Sequence, residues 1–177
     1  MALVIETGAG LANADAYVAI AYVDAYNTAY VGNADWAAIV DTAIKERYIR
    51  RATQFINREY QNSFVGERGS SDQALEWPRT SAIGSNGQVF DSDEIPDALS
   101  QGTAEAALKL TESDDFFTDV TEQTGSETRK KEKVGLLEVD VSYVNPSSKK
   151  FFESINSTLA PVLLDGGSTS VGFVDRS

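Results

Sequence analysis

Between Ala43 and Tyr60 the apolar residues Ile44, Tyr48, Ala52, Phe55 and Ile56 recur at spacings of four and three. That is the period of one helical face, and Asp41 or Thr42 stands ahead of it as N-cap. Burial of this face is the first expectation. Upstream, Ala19 to Tyr30 places Tyr22, Tyr26 and Tyr30 at i, i+4 and i+8 of a second helix, closed by Gly32-Asn33. Tyrosines at this spacing read as packing, in a core or a subunit interface, rather than as a platform for stacked bases. A third helix from about Pro96 to Thr111 buries Ala98, Leu99, Ala106 and Leu110, with Gly102 and Ala107 small enough for close helix approach. Ser147 or Ser148 caps a last helix whose apolar face is Phe151, Phe152, Ile155, Leu159, Val162 and Leu163; Pro161 bends it or breaks its final turn.

One stretch carries the period of a strand. From Leu137 to Tyr143 apolar residues alternate with Glu138, Asp140 and Ser142, a strand with one wet side. A lone strand cannot satisfy its ladder, so it pairs with the N-terminal run Ala2 to Glu6, with the Gln88 region, or with a neighbouring subunit. Gly84 to Gly87 is a turn between short extended pieces. Gln61 to Ser71 has the composition of an exposed loop, and about 112–130 that of a mobile connector. Within Gln73 to Thr80, Pro78 ends any helix at Trp77, whose indole is large enough to anchor the segment; Tyr48, Phe55, Trp77 and Pro78 are the expected structural anchors. The fold class is therefore mainly α: a small helical bundle with a short β-strand or hairpin element and an extended C-terminal tail. Residues 1–164 form one helical domain. Residues 165–177 hold little to bury beyond Val171, Phe173 and Val174, a flexible tail that orders on a partner.

Composition narrows the chemistry. A chain of 177 residues buries about 70% of its unfolded surface and needs no staples. It has no Cys and no His, which removes disulfides, thiol and imidazole catalysis and the usual zinc ligands. The expectation is a protein that is not an enzyme and uses no cofactor. Thr7-Gly8-Ala9-Gly10 after an apolar run hints at a dinucleotide loop, but Asn13 stands where the third glycine belongs and no βαβ pattern follows, so it reads as a turn. Asp91, Asp93 and Glu94 sit within four residues, just ahead of Ile95-Pro96, where acids stabilise a helix N-terminus, and not as a separated catalytic pair. The first basic residue is Lys45 and no apolar run approaches a membrane span, so a soluble, cytoplasm-made protein is expected.

The net charge is −12, yet five of the fifteen basic residues, Lys45, Arg47, Arg50, Arg51 and Arg58, lie in the Ala43–Tyr60 helix against Glu46 and Glu59. They form either a contact surface for an acidic partner or the solvated, paired side of an ordinary amphipathic helix. Arg129, Lys130, Lys131 and Lys133 make a second basic patch. Such a net charge argues against wholesale coating of nucleic acid, so any DNA contact has to be local.

Several segments in order resemble a family of tailed-phage proteins labelled DnaT-like single-stranded-DNA-binding proteins and, by virion position, head–tail adaptors. They are ALVIETGAGLANADAYV at the start, Arg50-Arg51-Ala52-Thr53, Gln73 to Arg79, Ile95-Pro96, Lys131 to Val139, and Leu159 to Leu164. The resemblance spans about residues 2–164. It implies a helical virion protein, made in the host cytoplasm, that forms a homo-oligomeric ring, commonly of twelve copies, beneath the portal. It implies binding to the portal protein and to a downstream neck or tail-terminator protein, with packaged DNA passing through without specific binding and no membrane contact. In that setting the two basic patches and Val171, Phe173 and Val174 are the expected interface residues. The alternative that the label itself implies is a single-stranded-DNA-binding module centred on the basic helix.

Overall fold

A computed structural model describes residues 2–112, 130–134, 137–141 and 153–164. By its contacts the chain falls into two compact units, and the second comprises residues 118–151. In the first unit, α1 (Ile20–Tyr26) runs into a π-helical turn (Asn27–Val31), followed by α2 (Ala34–Ala38), α3 (Thr42–Tyr60), the short strands β1 (Glu67–Arg68) and β2 (Arg79–Thr80), and α4 (Asp97–Lys109). It closes with α5 (Glu153–Leu159) and a 3-10 turn at Ala160–Val162. The helical fold class holds, and a two-stranded antiparallel hairpin accompanies it.

The longest element, α3, starts where its sequence says: the Asp41 carboxylate accepts from the Ala43 N–H at 2.9 Å. Its buried face is Ile49, Ala52, Thr53, Ile56 and Tyr60, while Ile44, Tyr48 and Phe55 are half-buried at its flank. Against it lies α4, which also packs on α5. The small residue at the α4–α5 crossing is Gly102, where an added Cβ would stand 2.7 Å from Leu159 Cδ2. Close approach there leaves no room for a larger residue. Pro161 does break the last helix, turning it into the 3-10 segment. The tyrosine ladder holds only in part. Tyr22 and Tyr26 pack against the core, whereas Tyr30, in the π turn, keeps its place beside Tyr26 with ring centres 5.1 Å apart but is 78% exposed.

The acids ahead of α4 do not cap it. Pro96 is the N-cap and no side chain accepts from the first turn; Glu94 instead accepts the Asp91 N–H at 3.3 Å, and Asp97 supplies the first-turn carboxylate.

An aromatic stack fills the space beneath the loop segments. Trp77 is fully buried, edge-on to Phe64 (6.2 Å, 87°) and to Phe90 (5.7 Å, 85°), and Phe64 also meets Tyr60 at 6.3 Å. The Trp77–Pro78 peptide is cis. Arg79, only 7% exposed, donates to the carbonyls of Val65 (2.8 Å) and Gly66 (2.7 Å) and to Glu76 (3.1 Å), tying this segment to the end of α3.

Phenol hydroxyls link the helices: Tyr26 to Glu105 across α1 and α4 (2.9 Å), and Tyr60 to Asn156 across α3 and α5. Tyr17 donates to Asn57 at 2.5 Å and accepts the Trp77 N–H at 3.2 Å. Burial raises the pKa of all three phenols above the ordinary value of 10. A raised folded-state pKa contributes stability that is complete below pH ~10 and is lost as pH climbs beyond it, because the unfolded chain ionises first. Urea midpoints are therefore expected to be flat with respect to these groups from pH 7 to 9 and to fall above pH ~10. A midpoint unchanged at pH 11 would contradict their burial.

In the second unit, β3 (Lys130–Val134) and β4 (Leu137–Val141) pair antiparallel across a two-residue connection. The predicted strand is present, but among the described residues it pairs with neither the N-terminal run nor the Gln88 region. It pairs with the basic run just ahead of it, where closing a two-residue loop costs least. In register Lys131 stands opposite Asp140, and Lys133 opposite Glu138. Arg129, most of the connector at 112–130, and the tail with Val171, Phe173 and Val174 lie outside the described residues.

Candidate nucleic-acid interface

The N-terminal Gly-x-Gly loop is the first place to look for an anion site, and its amides are already taken. Glu6, 2% exposed, accepts the N–H groups of Gly8 (2.9 Å), Gly10 (3.0 Å) and Leu11 (2.7 Å). The loop is folded around an internal carboxylate and is the turn its sequence indicated. Gly8, at φ +101°, packs where a Cβ would overlap the Asp93 carbonyl. Replacing Glu6 with Gln turns one acceptor oxygen into a donor facing donors. The expected loss is about 3 kcal/mol, read from the urea midpoint; a loss under about 1 kcal/mol would show that the loop holds without its carboxylate.

The basic residues of α3 divide in two. Lys45 Nζ lies 2.8 Å from Asp24 Oδ1, which also accepts from Trp36 Nε1 at 2.7 Å, and the ammonium sits 5.0 Å from the Trp36 ring centre. This cluster joins α1, α2 and α3. Arg50 donates to Asp15 at 2.7 Å and meets Glu46 at 3.5 Å, and the Asp15 hydrogen bond pushes its pKa up. Lys45 and Arg50, two of the five α3 cations expected at an interface, thus hold the fold together.

Arg47, Arg51 and Arg58 occupy positions i, i+4 and i+11, which at 100° per residue fall within about 40° of one another. They form one stripe about 16 Å long. Arg47 and Arg58 are exposed, Arg51 is half-buried between them, and exposed Gln54 lies on the same stripe. Beside it run Tyr48 and Phe55, each half-buried and rooted in the core, with the Arg47 guanidinium 5.8 Å from the Tyr48 ring centre. Trp77 and Pro78, by contrast, are wholly interior and present nothing to a ligand.

One end of the stripe opens on a groove of ≈ 510 Å³ lined by Ala14, Asp15, Gln54, Asn57, Arg58, Ala74 and Leu75. Asn57 and Asp15 were not legible as site residues in the sequence. Both come to the groove through tertiary contacts: Asn57 accepts the Glu76 N–H at 3.2 Å and the Tyr17 hydroxyl, and Asp15 accepts the Val4 N–H at 2.8 Å. Among the described residues no group of three or more acidic side chains could hold a metal ion, and no helix is long and apolar enough to cross a membrane.

Comparison with known proteins gives one match. The profile of a family described as "Putative DnaT-like ssDNA binding protein" covers residues 1–177. No curated protein and no solved structure matches the chain. Because the profile match runs the length of the sequence, the chain belongs to this DnaT-like family.

Proposed function

We propose that the protein binds single-stranded DNA along the α3 stripe of Arg47, Arg51 and Arg58. The observation that carries this reading is the alignment of these three arginines on one helical face, with Arg47 and Arg58 exposed at its two ends, while Lys45 and Arg79 are bound to Asp24 and Glu76 inside the fold. Three cations spaced over about 16 Å match the phosphates of roughly five stacked nucleotides. Tyr48 and Phe55 add apolar ring surface at the stripe's edge, the usual companion of cations in strand binding. The net charge of −12 opposes this local attraction, so the affinity is modest and strongly salt-dependent. The family description supports the same reading. Binding of this kind involves no catalysis and no cofactor.

The same net charge favours a second reading, that of a virion head–tail adaptor. A ring of such subunits beneath a portal repels phosphate and lets DNA slide. There the α3 stripe would meet an acidic face of a neighbouring subunit, of the portal, or of a downstream neck protein. Fluorescence anisotropy of a labelled ten-nucleotide strand at ~0.05 M salt, with light scattering on the same sample, separates the two. Strand binding by a dispersed protein supports the first reading; a ring that leaves the strand free supports the second.

A further inference from the structure

The groove at the end of the stripe is built for more than charge. Its floor is apolar, with Ala14 and Leu75 buried and Ala74 exposed at its rim. Over that floor stand two side chains whose hydrogen-bonding capacity is already directed. Asn57 Oδ1 accepts both the Tyr17 hydroxyl (2.5 Å) and the Glu76 N–H (3.2 Å), which fixes the amide and leaves its NH₂ as the group offered to a ligand. Asp15 receives one donor on each oxygen, Val4 N–H and Arg50 Nε, and is 30% exposed. Each of its oxygens keeps a second lone pair, so it offers an acceptor. Arg58 belongs to both the groove and the stripe, and Gln54 does likewise.

We propose that this groove is a subsite for one nucleobase of the bound strand, selecting a base with an exocyclic amino group beside a ring acceptor, cytosine over thymine. The base plane lies on Ala14, Ala74 and Leu75, its amino group donates to Asp15, its ring nitrogen or carbonyl accepts from Asn57, and Arg58 takes the adjoining phosphate. Thymine presents a carbonyl oxygen where cytosine presents the amino group, and an acceptor facing Asp15 is rejected. The volume suits a flat ligand, since small-molecule sites commonly enclose 300–1,000 Å³. The proposal rests on strand binding by α3, and the test keeps the two apart.

The experiment compares oligo-dC with oligo-dT, ten nucleotides each, at neutral pH over a salt series, for the native chain and for Ala74→Phe. The Phe ring fills the groove from its exposed rim and removes no charge from the stripe, of which only Arg58 adjoins the groove. The expected result is about tenfold tighter binding of oligo-dC by the native chain, an advantage erased in Ala74→Phe, with the same salt slope in all four titrations. Equal affinities for the two strands, or a cytosine preference that survives Ala74→Phe with far-UV circular dichroism unchanged, overturns the subsite while an intact salt slope upholds the stripe. Absence of binding to either strand overturns both.

Discussion

Trp77→Ala is expected to destabilise the protein by about 4 kcal/mol, the scale of a large aromatic removed from a closed core. Trp77 is fully buried and meets Phe64 and Phe90 edge-on, so truncation empties the middle of a stack that also carries Tyr60. Among the described residues its indole N–H has no hydrogen-bond partner. Trp77→Phe therefore forfeits volume but no hydrogen bond, and is expected to cost about 2 kcal/mol or less. A domain of this size has about 5–15 kcal/mol in hand, so the Ala variant gives up between about a quarter and about four-fifths of that margin. Urea unfolding followed by far-UV circular dichroism measures both. An Ala variant that loses under about 1 kcal/mol would mean that segment 73–80 packs on the fold without supporting it.

The second large effect concerns binding. Arg47, Arg51 and Arg58 replaced together by Glu are expected to weaken single-strand binding by more than about a hundredfold at ~0.05 M salt, since three attractive contacts become repulsive ones. Arg47 and Arg58 are exposed, and α3 keeps its cap and its buried face, so helix content is expected to stay within error. Arg50→Glu serves as the contrast. It sets a third carboxylate against Asp15 and Glu46 and is expected to lower stability by about 3 kcal/mol. Binding lost in that variant would track unfolding. If the triple variant binds as the native chain does, the stripe is not the DNA site.

Much of the helical framework was legible because helices announce themselves locally, through period, cap and proline. Asp41, Gly32 and Pro161 all act where the sequence places them. What the period of α3 could not show is which flank its neighbours cover, and burial is centred on Ile49, Ala52 and Ile56 with Tyr48 and Phe55 left at the edge. Nor could the tyrosine spacing foretell that Tyr30, still beside Tyr26, stands exposed in a π turn. The strand at Leu137 was readable from alternation, but its partner depends on loop closure, which alternation does not encode.

The candidate site was half legible for the same reason. Clustering of cations on α3 is a property of sequence. Sorting them needs the tertiary positions of Asp24 and Asp15, which stand 21 and 35 residues from Lys45 and Arg50. Glu6, Asn57 and Asp15 carried little signal, since a buried acid or amide is recognised by the donors that surround it, and those come from elsewhere in the chain. An acid just ahead of Gly-x-Gly was the one local hint that the loop closes on itself.

The central claim is that three arginines on α3 meet the phosphates of a single strand. The salt dependence of binding tests it most directly, because released counterions count phosphate contacts at about 0.7 each for single strands. Anisotropy titrations between ~0.05 and ~0.2 M salt are predicted to give a slope of log affinity against log salt near −2, with about twentyfold weaker binding at the upper end. Replacing Arg58 alone by Gln should reduce the slope by about 0.7. A slope near zero, or one that Arg58→Gln leaves unchanged, would contradict the account.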